Sequence, residues 1–195
     1  MPVLVIMDIE GATIDQYDQV DALMGGTSAE NAPPGLISHT AGATETGLFV
    51  ADVWESAEAM QQAFETHLGP ALAQVGVPAT PPRILPVHNH LHGQGDEAGV
   101  IVFVEIEGLS AADYDGLTDD IAAHAGDGSG HPAVSHIAAI TDDGFVAVDV
   151  WASEEEFGRF AQEELMPRAG ERMGDVKPRF ARVHKHVPVK TPVKS

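Results

Sequence analysis

The sequence predicts an α+β fold in which two ferredoxin-like repeats, each with the order βαββαβ, form one barrel within a single chain. Three observations support this prediction: the sequence repeats itself, both repeats contain the same order of elements, and their strands are apolar on both faces. The composition is that of a folded globular protein, with 44% hydrophobic and 21% charged residues. At 195 residues the chain is long enough for two small domains.

The internal repeat is visible in five pairs of segments, of which one is Tyr17-Asp18 with Tyr114-Asp115. The other four are longer or carry candidate residues. LVIMDIEG (4–11) recurs as IVFVEIEG (101–108), Ser38-His39 as Ser135-His136, Asp52-Val53-Trp54 as Asp149-Val150-Trp151, and PPRILPVHNH (81–90) as KPRFARVHKH (177–186). Repeats of this kind indicate duplicated structural units.

The first half of each repeat has the pattern of a strand followed by a helix. An apolar strand (about 3–10 or 100–107) ends at Gly11 or Gly108. Thr13 with Gln16, or Ser110 with Asp113, then provides an N-cap pattern for a helix that reaches about Met24 or Ala125.

The second half of each repeat predicts a hairpin, a helix and a last strand. GLISHTAG and LFVADVW are separated by the turn residues ATETG, and AVSHIAAI and FVAVDVW by TDDG. Ser56 and Ser153 occupy the N-cap position of the second helix. The last strand carries the motif His-x-His.

A four-stranded sheet with both helices on one face leaves its other face exposed. Apolar residues occur on both faces of the first strand, with Leu4 and Ile6 on one and Val5, Met7 and Ile9 on the other. We therefore expect the two sheets to cover each other with pseudo-twofold symmetry. The predicted boundaries are residues 1–92 for the first repeat, 93–99 for a glycine-rich flexible linker, 100–188 for the second repeat and 189–195 for a flexible tail.

Charge and composition limit the classes of partner. A net charge of −20 disfavours binding to nucleic acids and to anionic membranes. The apolar residues at the start of the chain have neither the basic segment nor the cleavage site of a signal peptide, so a cytoplasmic location is expected. The chain has no cysteine, which excludes disulfides and thiolate ligands.

Two segments carry a family resemblance. LFVADVWESAEAMQQAFETHLGPAL and FVAVDVWASEEEFGRFAQEELMPR resemble the third strand and second helix of the dimeric α+β barrel proteins grouped with the antibiotic biosynthesis monooxygenases. Trp54 and Trp151, with Ser56 and Ser153 after them, are the marks of this pattern. The resemblance covers nearly the whole chain and implies a fused tandem version of the fold. The superfamily includes cofactor-independent oxygenases of aromatic polyketides, haem enzymes and lyases, and its quinone-forming members are associated with an Asn, a Trp and a Tyr around the substrate.

The candidate catalytic residues are repeated in both halves. Alternation along a strand places Asp52 and Trp54 on one face, so the carboxylate can act as a base or orient a histidine while the indole forms a pocket wall. A structural role for each pair is the alternative, with the indole filling the core. The candidate set is His39, His136, Trp54, Trp151, Asp52 and Asp149.

The histidines of the last strands suggest an alternative metal site. Residues two apart on a strand point to the same side, so His88 and His90, or His184 and His186, can converge on one ion. In the barrel that the resemblance implies, His136 approaches the first pair and His39 the second, giving two clusters suited to zinc, copper or nickel. The alternative is that these histidines cap strand ends.

Other polar residues have two interpretations each. Tyr17 and Tyr114 either present a phenol to a substrate or pack against the sheet. Asp8, Glu10, Glu105 and Glu107 either reach the barrel interior or face water. His67, His92, His124 and His131 have no counterpart in the other repeat and are expected to face solvent.

The first functional hypothesis is a monooxygenase-like enzyme that carries out cofactor-independent oxygenation, or acid/base chemistry, on an aromatic or polyketide-like molecule. The alternatives are a histidine-cluster metal-binding protein and a non-catalytic ligand-binding barrel. The expected partner is a small molecule. The expected assembly is a monomer with pseudo-twofold symmetry or a homodimer.

Overall fold

The structure is a computed structural model that describes residues 1–78, 80–125, 131–170 and 176–189. The chain divides into two compact units: unit 1 comprises Met1–Val87 and Ala181–Val193, and unit 2 comprises His88–Phe180 and Lys194–Ser195. The predicted tail beyond Val189 lies outside the described residues. Each unit is described separately.

Unit 1 contains an antiparallel sheet in the order β4-β1-β3-β2-β8. Its strands are β1 (Val3–Glu10), β2 (Leu36–Ala43), β3 (Gly47–Trp54), the first part of β4 (Arg83–His92) and the second part of β8 (Arg179–Pro188). The first four follow the ferredoxin-like order, and β8, from the end of the chain, pairs with the outer edge of β2. The last strand of the second repeat therefore completes the sheet of the first.

Two helical segments of unit 1 follow the predicted capping signals. Helix α1 (Ile14–Leu23) begins with a capping box in which the Thr13 side chain accepts the Gln16 N–H. Helix α2 (Ala57–Ala63) begins where the Ser56 hydroxyl accepts the Ala59 N–H. A π-helical turn (Phe64–Leu68) joins it to α3 (Gly69–Val75), which ends at Gly76 with a positive φ of 78°.

Unit 2 repeats this arrangement. Strands β5 (Val100–Glu107), β7 (Gly144–Trp151) and β6 (Ser135–Ile140) pair in that order. The helices are α4 (Ala111–Ala125), α5 (Glu154–Phe160) and α6 (Met166–Ala169), with a π-helical turn (Ala161–Leu165) between the last two. A π-helical turn at the same place in both units is a duplicated feature, and such turns are frequent at functional sites.

The helix-facing side of each sheet forms a hydrophobic core. In unit 2 the core includes Val102, Val104, Phe145 and Trp151, packed under helices α4 and α5. In unit 1 two smaller clusters surround Val5 with Trp54, and Ile9 with Leu48. These cores fix the position of the polar side chains that lie among them.

The glycine-rich segment 93–99 belongs to unit 2 and packs closely against the residues that precede β6. The Gly93 N–H donates to the carbonyl of Val134 at 3.1 Å, and the Gln94 N–H donates to that of His131 at 2.9 Å. A Cβ on Gly93 would lie 1.9 Å from the Ala133 carbonyl oxygen, so only glycine permits this approach.

The predicted fold class, an α+β chain of two ferredoxin-like repeats, is confirmed. The predicted first strands at 3–10 and 100–107 coincide with β1 and β5. In the described part of the chain, every helix is too short or too polar to cross a bilayer.

Candidate functional site

The main polar feature of unit 2 is a buried chain of three hydrogen-bonded side chains. The Tyr114 hydroxyl, on α4, lies 2.7 Å from Nε2 of His136 on β6. Nδ1 of His136 lies 2.6 Å from Oδ1 of Asp149 on β7. The three residues are only 5%, 8% and 6% exposed, respectively. His136 and Asp149 are directly opposite each other in the β6–β7 ladder, which explains their short contact.

The acceptor at one end sets the direction of every hydrogen bond in this chain. A carboxylate only accepts, so Nδ1 of neutral His136 carries the proton and donates it to Asp149. Nε2 of His136 is then an acceptor, and the Tyr114 hydroxyl donates to it. This arrangement can transfer a proton from the tyrosine to the histidine, and Asp149 stabilises the imidazolium that results.

Asn89 adds a further link to the chain. Its Nδ2 group donates to the Tyr114 hydroxyl at 3.1 Å, and its side chain is buried on β4. Burial raises the pKa of Tyr114 above its usual range; the hydrogen bond from Asn89 lowers it, and the charges of Asp149 and Asp115 raise it. The phenol is therefore protonated at neutral pH, and Asn89 favours its anion.

The Tyr114–His136–Asp149 chain lies in the wall of a cavity of about 750 Å³ between the sheet and helices of unit 2. Most of the wall is apolar, including Val104, Leu117 and Phe160. Cavities of several hundred Å³ with an apolar lining and a few polar groups are typical small-molecule sites.

His131 is a second imidazole of this cavity. Its ring lies over that of His136, with centroids 4.9 Å apart and planes 23° apart, and it also contacts Trp151 and Phe160. Burial, and next the proximity of His136, lowers the pKa of His131 to about 4, although Asp149 acts in the opposite direction. His131 is therefore neutral at physiological pH. The expectation that it faces solvent is wrong, because its ring packs among aromatic side chains.

Trp151, two residues after Asp149 on β7, packs beside the site. Its side chain is 1% exposed and contacts Phe157 and Phe160, and its Nε1 lies 3.5 Å from Oδ2 of Asp149. The indole is therefore a packed neighbour of the carboxylate, and the shorter contact with His136 is the main hydrogen bond of Asp149.

Unit 1 contains the same chain of three residues. The Tyr17 hydroxyl lies 2.6 Å from Nε2 of His39, and Nδ1 of His39 lies 2.7 Å from Oδ1 of Asp52. His39 and Asp52 are again opposite each other, here in the β2–β3 ladder. Trp54 contributes to the neighbouring cavity wall.

The surroundings of the two chains differ. The cavity beside Tyr17 has a volume of only about 100 Å³. Lys185, which occupies in VHKHV the place of Asn89 in VHNHL, forms an ion pair with Asp21 at 2.6 Å. Burial raises the pKa of Asp21, but the hydrogen bonds from Lys185 and Thr27 outweigh it and leave the pKa below its ordinary value.

The structure places the predicted histidine clusters differently from the metal hypothesis. β2 and β8 are neighbours, as that hypothesis requires, and Thr40 is paired with His186. However, both ring nitrogens of His39 contact Tyr17 and Asp52, while Nδ1 of His186 contacts the Thr40 hydroxyl at 2.9 Å. His184 pairs with Asp18 at 2.7 Å.

In unit 2, His88 pairs with an aspartate as His184 does in unit 1, and His90 has a different neighbour from His186. Nε2 of His88 lies 2.9 Å from Asp115, and His90, only 2% exposed, has its ring 5.3 Å from that of His92. Within the described residues, no three or more His, Asp or Glu side chains are arranged to hold a metal ion. The predicted clusters of three histidines therefore do not form there. Aspartate, tyrosine or threonine side chains contact ring nitrogens of His39, His88, His136, His184 and His186.

The remaining candidate residues lie outside the two hydrogen-bonded Tyr–His–Asp groups. The carboxylates of Asp8, Glu10, Glu105 and Glu107 are exposed rather than directed to an interior. His67, His92 and His124 are exposed, as expected. Sequence reasoning did not select Asn89 or His131. The only signal for Asn89 was its position between two histidines, and His131 had none because it has no counterpart in the first repeat.

No family model and no curated protein sequence matches the chain. Several solved structures are similar in fold. A candidate monooxygenase from Lactobacillus acidophilus has a TM-score of 0.69 at 11% identity, with 98% of each chain covered. A candidate monooxygenase from Fusobacterium nucleatum has a TM-score of 0.71 at 8% identity, covering 100% of this chain and 98% of the other.

A third similar structure is that of an anthrone oxidase-like protein. It has a TM-score of 0.53 at 12% identity, covering 100% of this chain and 95% of the other. Similarity at this level of sequence identity establishes the fold alone. The reaction has to be inferred from the residues of the site. The chain has the α+β fold of the dimeric α+β barrel proteins, with both ferredoxin-like repeats in one polypeptide.

Proposed function

We propose that unit 2 is the active unit of a monooxygenase-like enzyme that removes a proton from a small aromatic substrate and lets the resulting anion react with O₂. The main support is the series of hydrogen bonds from Tyr114 through His136 to Asp149, in the wall of a cavity of about 750 Å³. The similarity of fold to candidate monooxygenases and to an anthrone oxidase-like protein supports this class of reaction.

The proton transfer follows from the hydrogen-bond directions. Tyr114 donates to His136 and accepts from Asn89, which leaves one lone pair of the phenol oxygen for a substrate proton. As that proton arrives, the phenol proton moves to Nε2 of His136. Asp149 then faces an imidazolium, and a buried ion pair of this geometry stabilises the charge-separated state.

The oxygen chemistry needs a substrate that can supply electrons as its anion. A methylene group between two aromatic rings, activated by a ring carbonyl, meets this requirement. Loss of one proton gives an enolate; O₂ takes electrons from it and a C–O bond forms. Cleavage of the O–O bond leaves one oxygen as a carbonyl and releases the other with both methylene hydrogens as water. The protein contributes the base and an apolar cavity.

The two units differ in cavity volume and in the surroundings of the tyrosine, and both differences favour unit 2 as the active unit. Its cavity can accommodate an aromatic molecule of several rings, whereas the cavity of about 100 Å³ in unit 1 cannot. Burial raises the pKa of both tyrosines. For Tyr114 the hydrogen bond from Asn89 opposes this rise, whereas for Tyr17 the charges of Asp21 and Asp52 add to it. Unit 1 therefore retains the hydrogen-bonded chain mainly as a structural element.

Oxygen uptake with anthrone as substrate tests the proposal. Wild-type protein should consume O₂ and form anthraquinone. Tyr114→Phe should lower the rate by about 10²- to 10⁴-fold, the usual contribution of a positioned acid or base. Tyr17→Phe removes the same hydroxyl from unit 1 and is the matched control. Equal rates in the two variants, or no uptake by the wild type over buffer, would rule out the proposed role of unit 2.

Binding without turnover is the outcome that would favour a non-catalytic protein. If anthrone quenched tryptophan fluorescence saturably and no O₂ were consumed, the cavity would be a ligand site only. The prediction that the reaction needs no zinc, copper or nickel is tested in the same experiment by repeating it after exhaustive chelation.

A further inference from the structure

We infer that His131 is a neutral hydrogen-bond donor that binds the oxyanion of a phenol or enol in the cavity of unit 2. This inference rests on the proposed function in taking that cavity as the ligand site. It adds the ionisation state in which the ligand is held and the residue that holds it.

The tautomer of His131 follows from its backbone contact. Nδ1 of His131 lies 3.3 Å from the backbone nitrogen of Ala133, which can only donate, so Nδ1 is the acceptor. In a neutral imidazole the proton is then on Nε2. Neutrality is maintained because burial lowers the pKa of His131 to about 4. His131 thus has one N–H group for a partner other than the backbone.

The ring that carries this N–H group lies at the proposed ligand site. His131 belongs to the wall of the same cavity as Tyr114, and its ring covers that of His136 at 4.9 Å. Trp151 and Phe160 pack against it and restrict its rotation. A ligand that gives its proton to Tyr114 therefore develops its negative charge in a cavity that also contains this imidazole.

A neutral donor suits this position better than a cation would. When His136 takes up the proton, a charged His131 at this distance would repel the new imidazolium, whereas a neutral ring does not. The ligand anion still needs a donor, because the protein has a net charge of −20 and the carboxylate of Glu164 also lines the cavity. Glu164 is itself paired with Arg168 at 3.1 Å. A neutral imidazole that polarises an oxyanion is an established catalytic device.

Unit 1 lacks this group. Pro34 precedes His39 by five residues, as His131 precedes His136, and proline has no side-chain donor. The inference therefore assigns to unit 2 a capacity for anion binding that the other unit does not share.

The experiment uses 4-nitrophenol, whose anion absorbs visible light and whose neutral form does not. The full-length protein is titrated at a pH where the free probe is mostly neutral. We expect the wild type to bind nitrophenolate, seen as a gain in visible absorbance. His131→Phe keeps an aromatic ring against His136 and removes the donor, so affinity for the anion should fall about tenfold to a hundredfold, the range for hydrogen bonds to charged groups. His131→Gln retains an N–H donor and should bind within a few-fold of the wild type.

Two controls separate a donor from a packing role. 4-Nitroanisole cannot ionise, and its affinity should be unchanged in His131→Phe. His67→Phe removes an exposed imidazole of unit 1, outside the cavity, and should leave nitrophenolate binding unchanged. The inference is overturned if His131→Phe binds nitrophenolate as well as the wild type, if it weakens both probes equally, or if the wild type binds no nitrophenolate. Loss of oxygen uptake alone, with nitrophenolate binding intact, would remove the proposed function and leave this inference standing.

Discussion

Replacement of Asp149 tests whether the buried chain of unit 2 contributes to stability as its geometry implies. The carboxylate is 6% exposed and accepts a hydrogen bond from Nδ1 of His136 at 2.6 Å. Its second contact, Nε1 of Trp151 at 3.5 Å, is too long to contribute much. The stability change therefore depends almost entirely on one charge-assisted hydrogen bond.

The expected magnitudes differ between two variants. Asp149→Asn keeps an acceptor oxygen for His136 and loses only the charge, which should lower the free energy of unfolding by about 1 to 1.5 kcal/mol. Asp149→Ala removes the acceptor and leaves a buried N–H without a partner, which should cost about 3 kcal/mol. For a chain of this length these losses lower the unfolding midpoint by about 2–6 °C and 6–12 °C, respectively.

Thermal unfolding followed by circular dichroism measures both losses. Asp142→Asn, at an exposed position, removes the same charge and should shift the midpoint by less than about 1 °C. Asp52→Asn should match Asp149→Asn, because the contact between His39 and Asp52 has nearly the same length, 2.7 Å. If Asp149→Ala unfolded at the same temperature as Asp142→Asn, the buried hydrogen bond would not stabilise the protein and the assigned proton direction would lose its basis.

Three further predictions concern stability. Lys185→Met should lower stability by about 1 kcal/mol at pH 7 but not at pH 2, as chemical denaturation at both pH values would measure. The pKa of Asp21 is lowered in the folded protein, so its ion pair stabilises the fold above the ordinary carboxyl pKa of 3.8. This stabilisation is lost as the pH falls through the folded pKa. Gly144→Ala should destabilise the protein by more than about 2 kcal/mol, because its Cβ would lie 2.0 Å from a carbonyl oxygen. Gly116→Ala, in open space on α4, should stabilise it by about 0.5–1 kcal/mol, and the unfolding midpoints of both variants test these values. Between pH 6.5 and pH 4 the wild type should lose up to about 3 kcal/mol more stability than His131→Phe. In that range the pKa of folded His131 is depressed, so only the unfolded wild type gains a proton at this position. Equal pH profiles of stability would contradict a buried neutral imidazole.

Much of the fold was predictable because the signals for it are local. The capping residues Thr13, Ser56 and Ser153 mark helix starts that the structure contains, and each acts through a hydrogen bond to a residue three positions later. The internal repeat doubled each of these signals. The π-helical turns were not predicted, since no residue pattern distinguishes them from the α-helices on either side.

The candidate site was only partly predictable. His136 and Asp149 were selected because each is repeated in the other half, and their pairing follows from strand register. Tyr114 had two interpretations, and the hydrogen bond to His136 decides between them. Asn89 is 25 residues from Tyr114 in sequence, so no spacing rule connects the two.

By itself, the sequence determined the order of strands and helices, the duplication and the acidic character of the chain, because composition, periodicity and capping are properties of short segments. Only the tertiary structure decided that each histidine at the start of the second strand meets a tyrosine and an aspartate rather than other histidines. It also decided that His131 lies over His136, and that the cavity of unit 2 is several times larger than that of unit 1. These features depend on which side chains from distant segments occupy the same space, and hydrogen-bond partners and cavity volumes are set by that packing alone.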